Sequence, residues 1–167
     1  MVFLGVDPGF QITGFGILKK VQNSIILLDY GALRLPVKKD LSVRIGLFFD
    51  FFHGKIKEYG ITDISLETPF LGKNAQNFLK LGYLRGILYL LANQHKAILH
   101  EFSPREVKQA VTGYGGADKL QVARVIMQLF PRFTAPKTLD TTDALAISLC
   151  GLWRKKNSLF PSLSGQK

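Results

Sequence analysis

The sequence predicts an α/β fold in which a mixed sheet carries helices on its faces. Residues 1–35 contain three apolar runs separated by short glycine-containing or polar segments, which is typical of strands joined by tight turns. From residue 40 onward the apolar residues recur at helical spacing, and helical and strand-like segments then alternate. The predicted order is β-β-β-α-β-α-β-α-α-α. A meander followed by alternating strands and helices indicates a mixed five-stranded sheet.

The first three strands are predicted from VFLGVD, GFQITGFGILKK and SIILLDYGALRL. Their close spacing predicts antiparallel pairing. The first of them ends on a carboxylate, Asp7, and Pro8 and Gly9 follow at once. Pro and Gly at these positions form turns, so the strand is expected to stop at Asp7.

The later elements follow from changes of apolar period and from turn residues. Residues 40–59 predict a helix, ITDISLE a short strand ending at Glu67, residues 73–94 a long helix, and KAILHEF the last strand. The long helix has enough apolar surface both for the core and for contacts between two copies of the chain.

Two capping boxes predict where the next helices begin. Ser103 precedes Pro104 and stands three residues before Glu106, and Asp118 stands three residues before Gln121. The second of these helices is expected to stop before Pro131, and TTDALAISLCGLWRKK forms the last helix.

Length and composition limit the class of protein. The length of 167 residues predicts one domain, over residues 1–156, and a composition of 47% hydrophobic residues is enough for a core. Residues 157–167 are expected to be a flexible tail. The apolar runs are too short to span a membrane, and no secretory signal or disulfide pair is evident, so we expect a cytoplasmic protein. The net charge of +10 suits a polyanionic partner, of which nucleic acid is the commonest, and a merely solvated basic surface is the alternative.

Two carboxylates are predicted to meet at one edge of the sheet. Side chains alternate along a strand, so Asp7 shares a face with Gly5, which is expected to leave open space beside it. Glu67 ends the fourth strand in the same way. If the two strands are parallel neighbours, both acids lie at the carboxyl edge, where open α/β sheets bind ligands.

The DTTD segment offers a second pair of acids, Asp140 and Asp143. Acids in a first helical turn complement the helix N-terminus without any catalysis, and this structural interpretation is common. Residues three apart also lie on one helix face, so both could enter one site. Four converging acids repel one another unless protons or cations neutralise them, and hard divalent cations prefer such oxygen ligands. A basic protein with an acidic pocket has the charge arrangement of a metal-dependent nuclease.

Four blocks of the chain, in order and spacing, resemble the RuvC family of bacterial Holliday-junction resolvases. They are GVDPGFQITGFGIL, LETPFLGKNAQNFLKLGYLRG, SPREVKQAVTGYGGADKLQVARVI and DTTDALAISLC. The similarity runs from about residue 2 to residue 153. The resemblance implies an RNase H-like fold, a homodimer, and paired Mg²⁺-dependent cuts in a four-way DNA junction during recombination and repair. It also implies two Mg²⁺ ions per site, with Mn²⁺ as a substitute, and the RuvA–RuvB branch-migration complex as a partner.

The resemblance also assigns roles to individual residues. The metal-binding catalytic acids are Asp7, Glu67, Asp140 and Asp143. Phe70 falls on an aromatic position that stacks on DNA bases, and Lys108 and Lys119 fall on basic positions near the cut DNA. The family can carry His where this chain has Asp140. Thr68 and Pro69 depart from the more varied residues expected beside Phe70.

Alternatives to these assignments remain open at the level of sequence. Phe70 could be a core aromatic, and the two lysines could be ordinary solvated charges. Further basic residues flank the same elements and are candidates for phosphate contacts: Lys73, Lys80, Arg85, Arg105 and Arg124. The chain could also be a junction-binding module with little nuclease activity. A phosphate-binding kinase or ATPase of the actin-like kind would need a much longer chain.

Overall fold

A computed structural model describes residues 1–69, 75–131 and 139–158, and within them the chain forms a five-stranded sheet and five helices. The strands are β1 (Val2–Asp7), β2 (Ile12–Val21), β3 (Ser24–Arg34), β4 (Asp63–Glu67) and β5 (Ile98–Phe102). The helices are α1 (Leu41–Tyr59), α2 (Ala75–His95), α3 (Pro104–Thr112), α4 (Lys119–Leu129) and α5 (Asp140–Ser158). The predicted order of elements is confirmed.

The sheet is mixed, as predicted, with the strand order β3-β2-β1-β4-β5. Strands β1, β2 and β3 form an antiparallel meander, whereas β4 and β5 run parallel to β1. In the β1–β4 ladder, Phe3 is opposite Asp63 and Val6 is opposite Leu66. This register brings the carboxyl ends of β1 and β4 to the same edge.

The alternation of side chains divides the apolar core between the two faces of the sheet. Leu4 and Ile17 belong to the cluster that packs under α1 and α2. Phe3 and Leu18 belong to the cluster on the other face, with side chains from α3, α4 and α5. The prediction of helices on both faces is therefore confirmed.

Glycines bring α5 unusually close to the second face. A Cβ atom added at Gly5 would lie 2.2 Å from the Ala144 carbonyl oxygen, and one at Gly14 would lie 2.0 Å from the Asp140 carbonyl oxygen. The expectation of open space at Gly5 is thus wrong, because the main chain of α5 fills it. The absence of side chains at these positions sets the distance between α5 and the sheet.

Local signals also set the helix boundaries. Both capping boxes are present, with the Ser103 hydroxyl accepting from the Glu106 amide and the Asp118 carboxylate accepting from the Gln121 amide. Helix α1 ends at Gly60, whose φ of 59° is in the left-handed region that favours glycine. None of the helices in the described parts of the chain has the length and apolar character needed to cross a membrane.

Some predictions fall on residues outside this description. They concern Phe70 and the start of the long helix, for which the structure describes α2 from Ala75. At the other end, α5 continues to Ser158, and residues 159–167 of the expected tail also lie outside the described residues.

Candidate active site at the carboxyl edge of the sheet

Asp7 and Glu67 end neighbouring parallel strands and face the same cleft. The cleft has a volume of about 190 Å³, and its lining includes both carboxylates together with Asp143, Lys108 and Lys119. The strand ladder explains this placement, because Val6 and Leu66 are paired one residue earlier. The predicted meeting of the two acids at the carboxyl edge is confirmed.

Helix α5 supplies the remaining two acids from its first turn. Asp143 lines the cleft beside Asp7, and Asp140 lies one turn earlier, where it borders a second, adjacent cleft. Asp140 still lies close enough to Asp7 to contribute to its electrostatic environment. All four predicted acids therefore belong to one cluster, with Asp140 at its margin.

The electrostatics of the cluster are those of crowded carboxylates. Burial raises the pKa of Asp7 to about 7, with further increases from the charges of Asp143, Glu67 and Asp140. Burial also raises the pKa of Glu67, and Asp143 adds to the increase. Each carboxyl thus disfavours ionisation of its neighbour, as expected where like charges share a partly desolvated site. Such a site has a strong electrostatic preference for cations.

Lys119 already provides one positive charge to the cluster. Its ammonium nitrogen lies 2.7 Å from Asp143 Oδ2, and this hydrogen bond raises the pKa of Lys119. The Lys119 side chain is 67% exposed, so its position against Asp143 is loosely held. Asp143 therefore does more than complement the helix N-terminus, although its place in the first turn also suits that role.

Lys108 reaches the same cleft from α3. It is partly buried in the lining, and its charge opposes the rise in the pKa of Glu67. Both predicted lysines are thus at the acid cluster, and neither is a remote solvated charge. Phe70, the remaining predicted site residue, lies outside the described residues.

The donors at this site suit a hard divalent cation, because all four are carboxylates. In the described ranges 1–69, 75–131 and 139–158, no three His, Cys, Asp or Glu side chains lie close enough together to hold a metal ion as they stand. Repulsion among the acids disfavours closer approach without a cation, and the Lys119 ammonium takes one carboxylate oxygen. The carboxylate side chains would have to rearrange to collect their oxygens around an ion.

Sequence reasoning did not identify how Glu67 is held. Arg85 is 6% exposed, and its guanidinium donates to the main-chain carbonyl of Glu67 and to the Glu101 carboxylate. The Tyr89 hydroxyl donates to the same carboxylate at 2.7 Å. Arg85 was one of the candidates for phosphate contacts, but its groups are used inside the protein. The one feature of the sequence that could have indicated this contact is the spacing of Arg85 and Tyr89, which lie one helical turn apart.

The chain matches the family described as "Crossover junction endodeoxyribonuclease RuvC" over residues 3–151. A relative of that name from Pelodictyon phaeoclathratiforme is 42% identical over 154 residues, covering 92% of this chain and 81% of the relative. Another, from Chloroherpeton thalassium, is 44% identical over 151 residues, covering 90% and 81%.

The fold also matches solved structures. The structure titled "T. thermophilus RuvC in complex with Holliday junction substrate" aligns with a TM-score of 0.87 at 24% identity, covering 95% of this chain and 96% of that one. The "Thermus thermophilus RuvC structure" aligns with a TM-score of 0.84 at the same identity. These matches confirm the RNase H-like fold.

Proposed function

This chain belongs to the RuvC family of crossover junction endodeoxyribonucleases, a family of metal-dependent nucleases, and we propose that it resolves four-way DNA junctions by paired, symmetric cuts. The observation that carries the proposal is the cluster of Asp7, Glu67, Asp140 and Asp143 beside two lysines at the carboxyl edge. The chain is otherwise strongly basic, with a net charge of +10. A basic surface attracts the DNA backbone, while four of the twelve acidic residues gather at the proposed point of cutting.

The four carboxylates would hold Mg²⁺, two ions per site, and Mn²⁺ would substitute. All-oxygen donors are the ligands that both ions accept. Bound ions of this kind activate water and stabilise the departing 3′ oxygen of a phosphodiester. Burial and the charges of Asp143, Glu67 and Asp140 raise the pKa of Asp7 to about 7, so Asp7 would be a ligand whose ionised form a bound cation stabilises.

Lys119 and Lys108 would hold the phosphate that is cut. Lys119 can release Asp143 because its side chain is exposed, and its ammonium can then contact a phosphate oxygen at the cleft. Lys108 belongs to α3, lines the same cleft and contributes its charge at Glu67. Phe70 would stack on a base at the crossover, an assignment that rests on family membership.

A binding module without nuclease activity is not favoured. Burial and mutual repulsion raise the pKa of Asp7 to about 7, which opposes folding of the ionised form at neutral pH. Polyanion binding by itself gives no reason for such a cluster, whereas metal-dependent hydrolysis requires one.

We infer that two copies of the chain act together, since a two-fold dimer matches a two-fold junction. Helix α2 carries an outward apolar stripe of Leu79, Tyr83 and Leu90, which are 56%, 38% and 45% exposed. A second copy would cover this stripe. Sedimentation should give a dimer for the wild type and for Leu129→Arg on α4, and a monomer for Leu90→Arg. A dimeric Leu90→Arg variant would place the interface elsewhere.

The remaining assignments rest on family membership and composition. They are the RuvA–RuvB branch-migration complex as a partner, a cytoplasmic location, and one catalytic domain over residues 1–156. Co-purification of the two motor proteins with a cleavage-deficient chain on a junction would test the first.

A cleavage assay on a mobile synthetic junction tests the proposed activity. Products mapped at nucleotide resolution should be symmetric paired nicks with 5′ phosphates, formed with Mg²⁺ or Mn²⁺ and absent with EDTA. Asp7→Asn should bind the junction but not cut it. Cutting of linear duplex at the same rate would indicate a different nuclease, and full activity of Asp7→Asn would refute the metal-site assignment.

A further inference from the structure

A second cleft adjoins the acid cluster on the side of Asp140. It has a volume of about 570 Å³ and lies between the turn after β1 and the first turns of α1 and α2. Its lining includes Phe10, Arg44, Lys80 and Asp140. Because Asp140 belongs to both the acid cluster and this cleft, a DNA strand cut at the cluster can continue into it.

The centre of this cleft is an aromatic ring held by a cation. Phe10 is half-buried, and the Arg44 guanidinium lies over its ring at 4.0 Å from the centroid. The same guanidinium donates through Nη2 to the main-chain carbonyl of Phe10. The Lys80 ammonium lies 5.9 Å from the ring centroid, and the Lys80 residue is exposed. Arg44 therefore fixes the ring, and Lys80 is available to a ligand.

The cleft also contains more positive than negative charge, because Arg44 and Lys80 line it with one carboxylate, Asp140. Arg44 is only 9% exposed, and its Nε has no hydrogen-bond partner among the residues that the structure describes. No carboxylate in the described parts of the chain forms an ion pair with Arg44 or Lys80. Buried charges are normally paired, because desolvation without a partner is costly. Two cations that form no ion pair in the described parts of the chain, beside one aromatic ring, point to an anionic ligand with a planar group.

We propose that this second cleft binds one nucleotide of the cut strand, next to the scissile phosphate. Its phosphate would lie at the Lys80 ammonium, in the positive field of Arg44, and its base would pack against Phe10. Aromatic side chains beside cations are the usual platform for unpaired bases, and stacking on them tolerates any base. The proposal rests on the proposed function, because it takes the substrate to be DNA cut at the acid cluster.

Binding to a fluorescently labelled junction in EDTA tests the subsite without cleavage. The variants are Lys80→Gln and Phe10→Leu, and Lys57→Gln is the matched control. Lys57 is an exposed lysine in the last turn of α1, and it lies about 20 Å along that helix from Arg44. Thermal melting of each variant establishes that it is folded.

The two substitutions should change junction binding in different ways. Lys80→Gln should reduce the slope of log affinity against log salt by about 0.7 to 0.9, the loss of one phosphate contact. Phe10→Leu should weaken binding by roughly fivefold or more with the slope unchanged, and Phe10→Tyr should restore it. Should Phe10→Leu fail to fold, the Lys80 measurement stands alone.

Neutral methylphosphonates placed along the strand identify the phosphate involved. One substitution close to the cut should weaken wild-type binding and have no further effect in Lys80→Gln. The subsite is refuted if Lys80→Gln keeps the affinity and salt slope of Lys57→Gln, or if every methylphosphonate weakens both proteins equally. Failure of the proposed function is seen separately, as wild-type protein that leaves junctions uncut in Mg²⁺.

Discussion

Replacing Asp7 by Asn should stabilise the metal-free protein, and increasingly so as the pH rises. Asn has nearly the same shape as Asp but carries no charge to desolvate or to repel Asp143 and Glu67. Burial and these neighbours raise the pKa of Asp7 from 3.8 to about 7. At about 1.4 kcal/mol per unit, this shift of roughly three units corresponds to about 4 kcal/mol of lost stability once the carboxyl is ionised.

The sign follows from the direction of the shift. The folded-state pKa lies above the unfolded value, so the protonated carboxyl favours the folded state. This contribution to the free energy of unfolding is complete below about pH 4 and is lost as the pH rises through about 7. Roughly 2 to 3 kcal/mol of it should disappear between pH 5 and pH 8. Asp7→Asn does not titrate at this position, so this part of the pH dependence is absent from the variant.

Urea unfolding in EDTA, followed by circular dichroism at pH 5, 6, 7 and 8, measures the effect. The difference between Asp7→Asn and the wild type should grow over this series and flatten above pH 7. Asp50→Asn, which removes an exposed carboxylate of α1, controls for the change in net charge. Adding Mg²⁺ should stabilise the wild type more than Asp7→Asn. A difference that is the same at pH 5 and pH 8 in EDTA would refute the reasoning.

Three further predictions concern how the site is held. Gly5→Ala should cost roughly 3 kcal/mol or more in urea unfolding, because its methyl group meets the main chain of α5. Gly46→Ala in α1, where no described residue lies within 4 Å of the added Cβ, should instead stabilise by about 0.5 to 1 kcal/mol. Equal effects of the two substitutions would contradict the close approach of α5. Arg85→Lys should slow cleavage at saturating Mg²⁺ by tenfold or more and leave junction affinity in EDTA unchanged. The reason is that an ammonium group cannot replace the forked guanidinium that holds Glu67. A parallel loss of junction binding would argue for a general structural role of Arg85. Lys119→Gln should tighten Mg²⁺ binding up to about fivefold, as measured by calorimetry without DNA, because the Lys119 ammonium no longer competes with the ion for Asp143. Weaker Mg²⁺ binding would show that Lys119 does not compete.

The order of elements was predictable because its signals are local. Period changes, turn residues and the two capping boxes all act within a few residues, and each of them is reproduced in the structure. The pairing of Asp7 with Glu67 was predictable from one additional assumption, that their strands are parallel neighbours. The ladder from Phe3 opposite Asp63 to Val6 opposite Leu66 bears this assumption out.

Contacts between distant segments were not predictable from the sequence. The sequence predicts open space beside Gly5, because no neighbouring residue indicates that α5, about 140 residues later in the chain, fills that space. Arg85 looked like a surface charge, although its partners Glu67 and Glu101 come from two different strands. The role of Arg44 was not predictable either, because its contact with Phe10 joins two separate elements, α1 and the turn after β1.

The position of α5 connects the fold to the chemistry. The β1–β4 ladder alone fixes the positions of Asp7 and Glu67. The rise in the pKa of Asp7 to about 7 also requires burial and the charge of Asp143. Glycines on β1 and β2 allow the first turn of α5 to come near enough to supply that charge. The same packing that stabilises the core therefore stores electrostatic repulsion at the sheet edge. A divalent cation relieves this repulsion, so metal affinity and the close packing of α5 should rise and fall together.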